Sequence, residues 1–147
     1  MSNSRQDSKH ITTIKEYFIL GDAGRPELFD LFTDDFQFYF PKFGVGRGKA
    51  EFAEFATGLL GSLKSISHDI GALKFFEGTD YVVVEGTTQG EYADGTRWQG
   101  GETPGGRFCS VYEFASDGRI KRMHIYLDPD YAGHDSDRFL WGTSRVW

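Results

Sequence analysis

EFASDGRIKRMHIYLDPDY, residues 113–131, is the stretch that decides the predicted fold. Two runs of alternating apolar and polar residues flank the pair Asp117-Gly118, and Pro129 ends the second run. An Asp-Gly pair between two such runs is a strong signal for a β-hairpin, because glycine adopts a positive φ without a Cβ clash. The stretch therefore predicts two antiparallel strands, over residues 107–114 and 120–128.

Further strands are predicted upstream of this hairpin, over residues 65–76 and 81–92, with turns at Gly78 and at Ala93-Asp94-Gly95. The glycine-rich passage GGETPGG at 100–106 lacks the strand-to-helix context of a phosphate-binding loop, so we interpret it as an irregular entry into a strand. The last eighty residues are therefore rich in strands.

Helical periodicity dominates the first sixty residues instead. Helices are predicted over residues 9–20, from Pro26 through Phe32, and over 49–60, with a short strand at 36–40 and a loop at KFGVGRG. Helices followed by strands indicate an α+β fold, in which one sheet is backed by helices. The 147 residues favour a single domain with tails at 1–8 and 132–147, where Phe139, Leu140 and Trp141 are expected to hold the second tail to the body.

Composition excludes several functions. The formal net charge of −6 argues against nucleic acid or an anionic membrane as a partner, because both bind basic surfaces. The lone Cys109 forms no internal disulfide, which fits a cytoplasmic protein, and no apolar run is long enough to span a membrane. The four scattered histidines show no metal-ligand spacing, so we expect neither a metal nor another cofactor.

The order of elements, the LFTDDFQF segment at 31–38 and the DGRI hairpin followed by YLDP at 126–129 carry a resemblance that runs from about His10 to Tyr131. The chain resembles the nuclear transport factor two-like superfamily, which includes SnoaL-like polyketide cyclases, ketosteroid isomerases, scytalone dehydratase-like enzymes and limonene epoxide hydrolases. The resemblance implies a cone, in which a strongly curved antiparallel sheet wraps around three N-terminal helices and leaves a conical pocket.

Strand alternation assigns side chains to the two faces of that sheet. His124 and Asp128 fall on the outer face, where they favour a homodimer interface or solvent over catalysis, and Cys109 also points outward. The inner face and the helices are expected to line a pocket for a small hydrophobic molecule. The predicted lining residues are Phe18, Phe32, Phe36, Phe38, Phe40, Phe55, Val84, Gly86, Thr88, Phe108, Ser110, Tyr112, Met123, Ile125 and Leu127. The 14 Phe, 7 Tyr and 3 Trp can equally fill a core.

The family resemblance also implies which chemistry is absent. Tyr17 occupies the place of the oxyanion-donating tyrosine of ketosteroid isomerases, but Phe40 and Ser110 stand where those enzymes have carboxyl groups. Limonene epoxide hydrolases use an Asp-Arg-Asp set, and the matching positions here are Thr88, Gly86 and Ile125. Neither isomerisation by that route nor that water-activating machinery is expected.

The scytalone dehydratase-like pattern fits better, because such enzymes pair a tyrosine on the first helix with a histidine at the first long strand. Tyr17 and His68 are the matching residues. The implied reaction is elimination of water next to a carbonyl, with imidazole as base and phenol as hydrogen-bond donor. Alternatively, His68 is a strand-edge residue bonded to backbone, and Tyr17 is a core aromatic.

Two other charged residues are weaker candidates. Asp35, beside Asp34, either caps a helix or reaches the pocket. Arg107 either meets an anionic ligand at the pocket mouth or pairs with Glu91 or Glu102.

Three functions stay open on these grounds. The chain is a cofactor-free lyase or isomerase/cyclase for a hydrophobic carbonyl compound, a non-catalytic protein that binds an apolar ligand, or a scaffold that only dimerises.

Overall fold

The computed structural model describes residues 6–103 and 105–135. Helix α1 is Lys9–Asp22, a 3₁₀-helix spans Pro26–Leu31, and helix α2 is Gly48–Ser62. The strands are β1 Phe32–Phe40, β2 Gly44–Arg47, β3 Leu63–His68, β4 Lys74–Glu77, β5 Tyr81–Tyr92, β6 Arg97–Gln99, β7 Arg107–Phe114 and β8 Ile120–Leu127. The tail residues Phe139, Leu140 and Trp141 lie outside the described residues.

The hairpin predicted from residues 113–131 is confirmed. Strands β7 and β8 pair antiparallel, with Ser110 opposite Ile125 and Tyr112 opposite Met123. Gly118 has a φ of 88°, and the Asp117 side chain accepts a hydrogen bond of 3.0 Å from the Arg119 backbone N–H. The turn chemistry therefore joins the two strands, and the alternating burial along β7 places Ser110 and Tyr112 on the inner face.

The eight strands of the described chain form one sheet in the order β2-β1-β8-β7-β5-β3, with β4 and β6 also paired to β5. The predicted α+β cone with a curved sheet is confirmed, but the sheet is mixed and not purely antiparallel. Strand β1 runs parallel to β8, with Phe38 opposite Met123. Sequence alternation could not show this, because it gives the face of a side chain and not the direction of the neighbouring strand.

Three local predictions are wrong. The six residues PELFDL form a 3₁₀-helix rather than an α-helix, because so short a segment cannot offset the cost of helix nucleation, and Phe32 begins β1 instead. The predicted strand 65–76 is broken by a 3₁₀ turn at Ile70–Ala72 into β3 and β4. The predicted loop KFGVGRG contains β2, and β6 was not predicted at all.

Aromatic rings fill one end of the cone. Phe32 and Phe36 stack with their centroids 4.2 Å apart, and Phe52 of α2 packs 5.3 Å from Phe32. Ile14 of α1 and Met123 of β8 belong to the same buried cluster. We call the part of this cluster that borders no cavity the closed end, and Phe52 stands at its boundary.

Candidate functional site

A cavity of about 340 Å³ lies between α1, α2 and the inner face of the sheet, next to the closed end, and Phe52 belongs to both. Its lining is mostly aromatic and aliphatic, and includes Phe18, Phe29, Phe40, Phe55, Ile125 and Leu127. Ionisable and hydroxyl side chains are fewer, and they include Tyr17, Asp22, His68, Thr88 and Ser110. An apolar pocket with a few convergent polar groups is the usual form of a small-molecule site.

A carboxylate–imidazole pair stands in the wall of this cavity. The Asp22 Oδ1 atom is 2.6 Å from His68 Nδ1, and Asp22 Oδ2 accepts a 2.8 Å hydrogen bond from the His68 backbone N–H. Both side chains are largely buried, with exposed fractions of 19% and 22%. The two contacts tie the end of α1 to the end of β3 and fix the position of the imidazole.

The pairing also determines which ring nitrogen of His68 can act. Because a carboxylate only accepts hydrogen bonds, Nδ1 carries the proton and Nε2 keeps a lone pair when the ring is neutral. The ring packs against Phe18 and Phe108, with centroid distances of 4.8 and 5.4 Å. Among the described residues, Nε2 has no hydrogen-bond partner, so it is available to a ligand.

The end of α1 explains why Asp22 can reach β3. The Ala23 N–H bonds to the carbonyl of Ile19, and Gly24 turns the chain with a φ of 64°. Asp22 therefore occupies the last turn of the helix, beside Gly21, which also lines the cavity. A carboxylate at a helix C-terminus meets the negative end of the helix dipole, and the two bonds to His68 offset that cost.

Tyr17 lies in the same wall, one helical turn before Gly21. Its ring packs edge-on against those of Phe18, Phe32 and Tyr112. Burial raises the pKa of the Tyr17 hydroxyl, and the nearby Asp22 carboxylate raises it further. Tyr17 therefore stays a neutral phenol, which can donate a hydrogen bond at physiological pH.

Two β-strand hydroxyls also belong to the polar part of the lining. Thr88 Oγ1 already accepts a 3.0 Å hydrogen bond from Trp98 Nε1. Trp98 in turn stacks on Tyr131, with centroids 4.7 Å apart, and Tyr131 lines the cavity. Ser110 lies on β7 and is 1% exposed. Thr88 thus supports the cavity wall, whereas Ser110 remains available for other contacts.

The structure separates the predicted pocket residues into two groups. Tyr17 and His68 both line the cavity, together with Phe18, Phe40, Phe55, Thr88, Phe108, Ser110, Ile125 and Leu127. The other predicted lining residues lie away from it: Phe32, Phe36, Phe38, Val84, Tyr112 and Met123 in the closed end, and Gly86 beneath the side chains of Leu73 and Phe108. Alternation assigned the inner face of the others correctly, whereas Phe32 was predicted in the second helix and lies in β1 instead. Alternation could not tell which inner-face side chains border a cavity.

The two weaker candidates do not reach the cavity. Asp35 is exposed on β1, where the register with β8 shifts, and neighbouring Asp34 pairs with Lys49 at 3.3 Å. Both lie within a strand, so neither caps a helix. Arg107 stands opposite Thr87 and alternates with buried Phe108, which places it on the outer face. Glu91, one of its two predicted partners, pairs with Lys64 at 3.3 Å and with Arg97 at 3.7 Å.

His124 lies on the outer face, as alternation predicts. Its Nε2 atom is 2.8 Å from Gln37 Nε2, and its Nδ1 atom is 3.0 Å from an Arg122 guanidinium nitrogen. Burial and the Arg122 charge lower the pKa of His124, so the ring is neutral at pH 7. Asp128 accepts a hydrogen bond from the Asp130 N–H in the turn after β8 and does not pair with His124.

Asp22 is the candidate site residue that the sequence analysis missed. The sequence did contain a clue to Asp22: it follows Gly21 at the predicted end of the first helix, one helical turn after Tyr17 and Phe18, so it lies on the same side of the helix as these candidates. Its partner is 46 residues away, and only the packing of α1 on β3 brings them together. Among the described residues, no three His, Cys, Asp or Glu side chains are grouped so that they could hold a metal ion.

The comparison with sequence models of protein families shows the family to which the chain belongs. The sequence model of the SnoaL-like domain matches residues 15–123, most of the 147-residue chain. The chain belongs to the SnoaL-like domain family. No curated protein sequence matches it. None of the described helices combines the length and hydrophobicity that crossing a membrane requires.

Solved structures show the same fold at low sequence identity. An NTF2-like protein of unknown function from Burkholderia pseudomallei is 18% identical, with a TM-score of 0.72 over 83% of this chain and 92% of that one. A proposed polyketide cyclase from Xanthomonas campestris pv. campestris is 15% identical, with a TM-score of 0.70 over 82% and 90%. The epoxide hydrolase/cyclase-like enzyme SalBIII, which has a role in pyran ring formation in the polyether salinomycin, is 18% identical to this chain. Its TM-score is 0.65 over 84% of this chain and 93% of that one. These likenesses establish the SnoaL-like fold of the chain.

Proposed function

We propose that this SnoaL-like protein is a cofactor-independent acid–base enzyme, a dehydratase or isomerase/cyclase, that acts on a hydrophobic carbonyl compound. The observation that carries the proposal is the 2.6 Å contact between Asp22 and His68 in the wall of a cavity that Tyr17 also lines. The cavity volume of about 340 Å³ lies within the range of roughly 300–1,000 Å³ that small-molecule sites occupy. A cavity of this size favours a ligand-binding role over a scaffold that only dimerises.

In the proposed reaction, His68 Nε2 removes the proton from the carbon next to the carbonyl. The electron pair of the broken C–H bond forms a C=C bond, and the carbonyl π electrons move to oxygen, where Tyr17 donates a hydrogen bond to the developing charge. When the C=O bond reforms, the C=C electrons expel a β-hydroxyl group, which takes the proton from His68 and leaves as water. Asp22 keeps the ring oriented and stabilises the imidazolium that forms between the two proton transfers.

Tyr17 gives the first test of this proposal. Aromatic β-hydroxyketones serve as probe substrates, because their elimination products are conjugated enones that are measured by ultraviolet absorbance. We expect Tyr17→Phe to lower turnover by about 10²-fold, since it removes one donor to the developing oxyanion and keeps the ring. Tyr126→Phe is the matched control, because Tyr126 is an exposed tyrosine on β8. Equal turnover in the Tyr17 variant and the wild type would refute the role of Tyr17.

A second candidate function is the binding of a small apolar ligand without turnover. It is supported by the mostly apolar lining, and by Phe40 and Ser110 at the positions where ketosteroid isomerases have carboxyl groups. Ligands that raise the melting temperature, are not converted and bind His68→Ala equally well would favour this function over the enzyme.

We also propose that the outer face of the sheet forms a homodimer. Tyr126 is 47% exposed there and packs on Tyr39, and the Arg122–Glu113 ion pair of 3.1 Å offers both signs of charge. A two-fold interface needs such a self-complementary patch. We expect sedimentation equilibrium to show a dimer for the wild type and a monomer for Tyr126→Asp. Leu60→Asp is the control, because Leu60 is similarly exposed but lies on helix α2, and this variant should remain a dimer. A monomeric wild type would contradict the proposal.

The lone Cys109 is compatible with a cytoplasmic location for this protein.

A further inference from the structure

The hydroxyl of Tyr112 is buried without a hydrogen-bond partner among the described residues. Tyr112 lies on the inner face of β7, and its side chain is 0% exposed. Tyrosine hydroxyls in a protein interior nearly always find a partner, because an unpaired donor loses its bonds to water on folding. The position of this hydroxyl therefore requires an explanation.

Ser110 is the polar neighbour that supplies one. It lies two residues before Tyr112 on β7, so both side chains point to the inner face. Burial raises the pKa of Tyr112 well above its ordinary value, the Tyr17 hydroxyl adds to that rise, and a contact with the Ser110 hydroxyl opposes it. Tyr17 and Ser110 line the cavity, whereas Tyr112 stands behind them. The Tyr17 and Tyr112 rings pack edge-on with centroids 5.9 Å apart, so the side chains of Tyr17, Ser110 and Tyr112 are neighbours.

We propose that Tyr112 is a positioning residue that aims the Ser110 hydroxyl at the ligand oxygen. When a ligand is bound, Tyr112 donates its proton to Ser110 Oγ, and Ser110 donates its own proton to the oxygen that Tyr17 also contacts. A serine hydroxyl has one proton, so accepting a bond from behind directs that proton into the cavity. A chain of two hydroxyls also strengthens the terminal donor.

This inference rests on the proposed function, and it narrows the substrate class. Two neutral donors at one oxygen are matched to a carbonyl whose oxygen becomes an enolate during the reaction. Neither donor releases a proton, so the oxygen is stabilised as an anion and not protonated. We expect substrates with an enolisable carbonyl on an apolar body, and poor binding of analogues in which the carbonyl is reduced to methylene.

The test uses 4-nitrophenol as a probe, because it is an apolar ring with one oxygen whose ionised and neutral forms absorb at different wavelengths. The purified protein is titrated with the probe over a pH series, and absorbance gives the apparent pKa of the bound probe and its affinity. Donors at the probe oxygen stabilise phenolate and lower that apparent pKa. We expect Ser110→Ala and Tyr112→Phe each to raise it and to weaken phenolate binding by about 3- to 10-fold.

The double variant distinguishes positioning from direct contact. If Tyr112 acts only through Ser110, the Ser110→Ala/Tyr112→Phe double variant binds the phenolate as Ser110→Ala alone does. Thr33→Val is the matched control, because Thr33 also carries a buried hydroxyl without a partner among the described residues, but does not line the cavity. The Thr33→Val variant should leave the apparent pKa of the bound probe and the affinity for the probe unchanged. Tyr112→Phe retains the ring, so circular dichroism and the melting temperature should show an intact fold.

The outcomes separate this inference from the function on which it rests. If Tyr17→Phe raises the apparent pKa of the bound probe but Tyr112→Phe does not, the positioning role is overturned and the proposed function stands. A double variant that loses more affinity than Ser110→Ala also overturns it. A wild type that does not bind the probe, or a Tyr17→Phe variant with an unchanged probe pKa, overturns both proposals.

Discussion

Replacement of His68 by alanine is expected to lower turnover of a β-hydroxyketone by about 10²–10⁴-fold, the usual contribution of a general base. The imidazole is the only strong proton acceptor in the described cavity lining besides the Asp22 carboxylate, which is occupied by its two bonds to His68. Substrate affinity should change by only a few-fold, because the apolar lining that binds the ligand remains. Initial rates of enone formation and a binding titration measure the two effects separately.

The controls for this prediction come from the same chain. His124→Gln removes another partly buried imidazole, on the outer face of the sheet, and should leave turnover within about two-fold of the wild type. Asp22→Asn keeps one acceptor oxygen, so it loses the charge that stabilises the imidazolium and one of the two hydrogen bonds to His68. The base itself remains, so this variant should lower turnover by less than His68→Ala. The combined variant should be no slower than His68→Ala, because the two residues act as a unit. Turnover in His68→Ala that equals the wild type would exclude His68 as the base.

Replacement of Phe32 by alanine is expected to reduce the free energy of unfolding by about 3–5 kcal/mol. The Phe32 side chain is 0% exposed and packs on Phe36, Phe52 and Tyr17 at the closed end. Deleting the ring leaves a void that rigid aromatic neighbours fill poorly, so a cavity cost adds to the lost burial. Urea denaturation followed by circular dichroism gives the free energy directly.

Phe76 supplies the matched control, because it is the same residue type and is 53% exposed on β4. Phe76→Ala should change the free energy of unfolding by no more than about 0.5 kcal/mol. If both phenylalanine variants lose similar stability, the closed end is not the tightly packed core described above.

Much of the fold was predictable because local chemistry specified it. The Asp117-Gly118 pair fixed the β7–β8 hairpin, and alternation along these strands placed Ser110 inside and His124 outside. The face of each strand residue follows from the period of two, so burial follows once one face is known to be apolar. The parallel pairing of β1 with β8 left no such local trace, because it depends on how the chain returns across the sheet.

Tyr17 and His68 were predicted as candidates, but their environment was not. Residue type and family resemblance marked them, whereas the closeness of Asp22 to His68 arises from the packing of α1 on the end of β3. Arg107 and Asp35 were reasonable candidates by charge, yet their strands turn them away from the cavity. A side chain's charge is visible in the sequence, but its distance from another charge is not.

The sequence by itself determined the strand hairpins and the apolar faces, because these depend on turn residues and periodicity within a few residues of one another. The SnoaL-like architecture followed from the resemblance of the sequence to a family. Only the tertiary structure decided that Phe32 and Phe36 lie in closely packed core, whereas Phe52 next to them borders the cavity. It also decided that the carboxylate of Asp22 meets the imidazole of His68 across 46 residues. Such contacts are set by how rigid helices fit a curved sheet, and that fit depends on the volumes of many side chains at once.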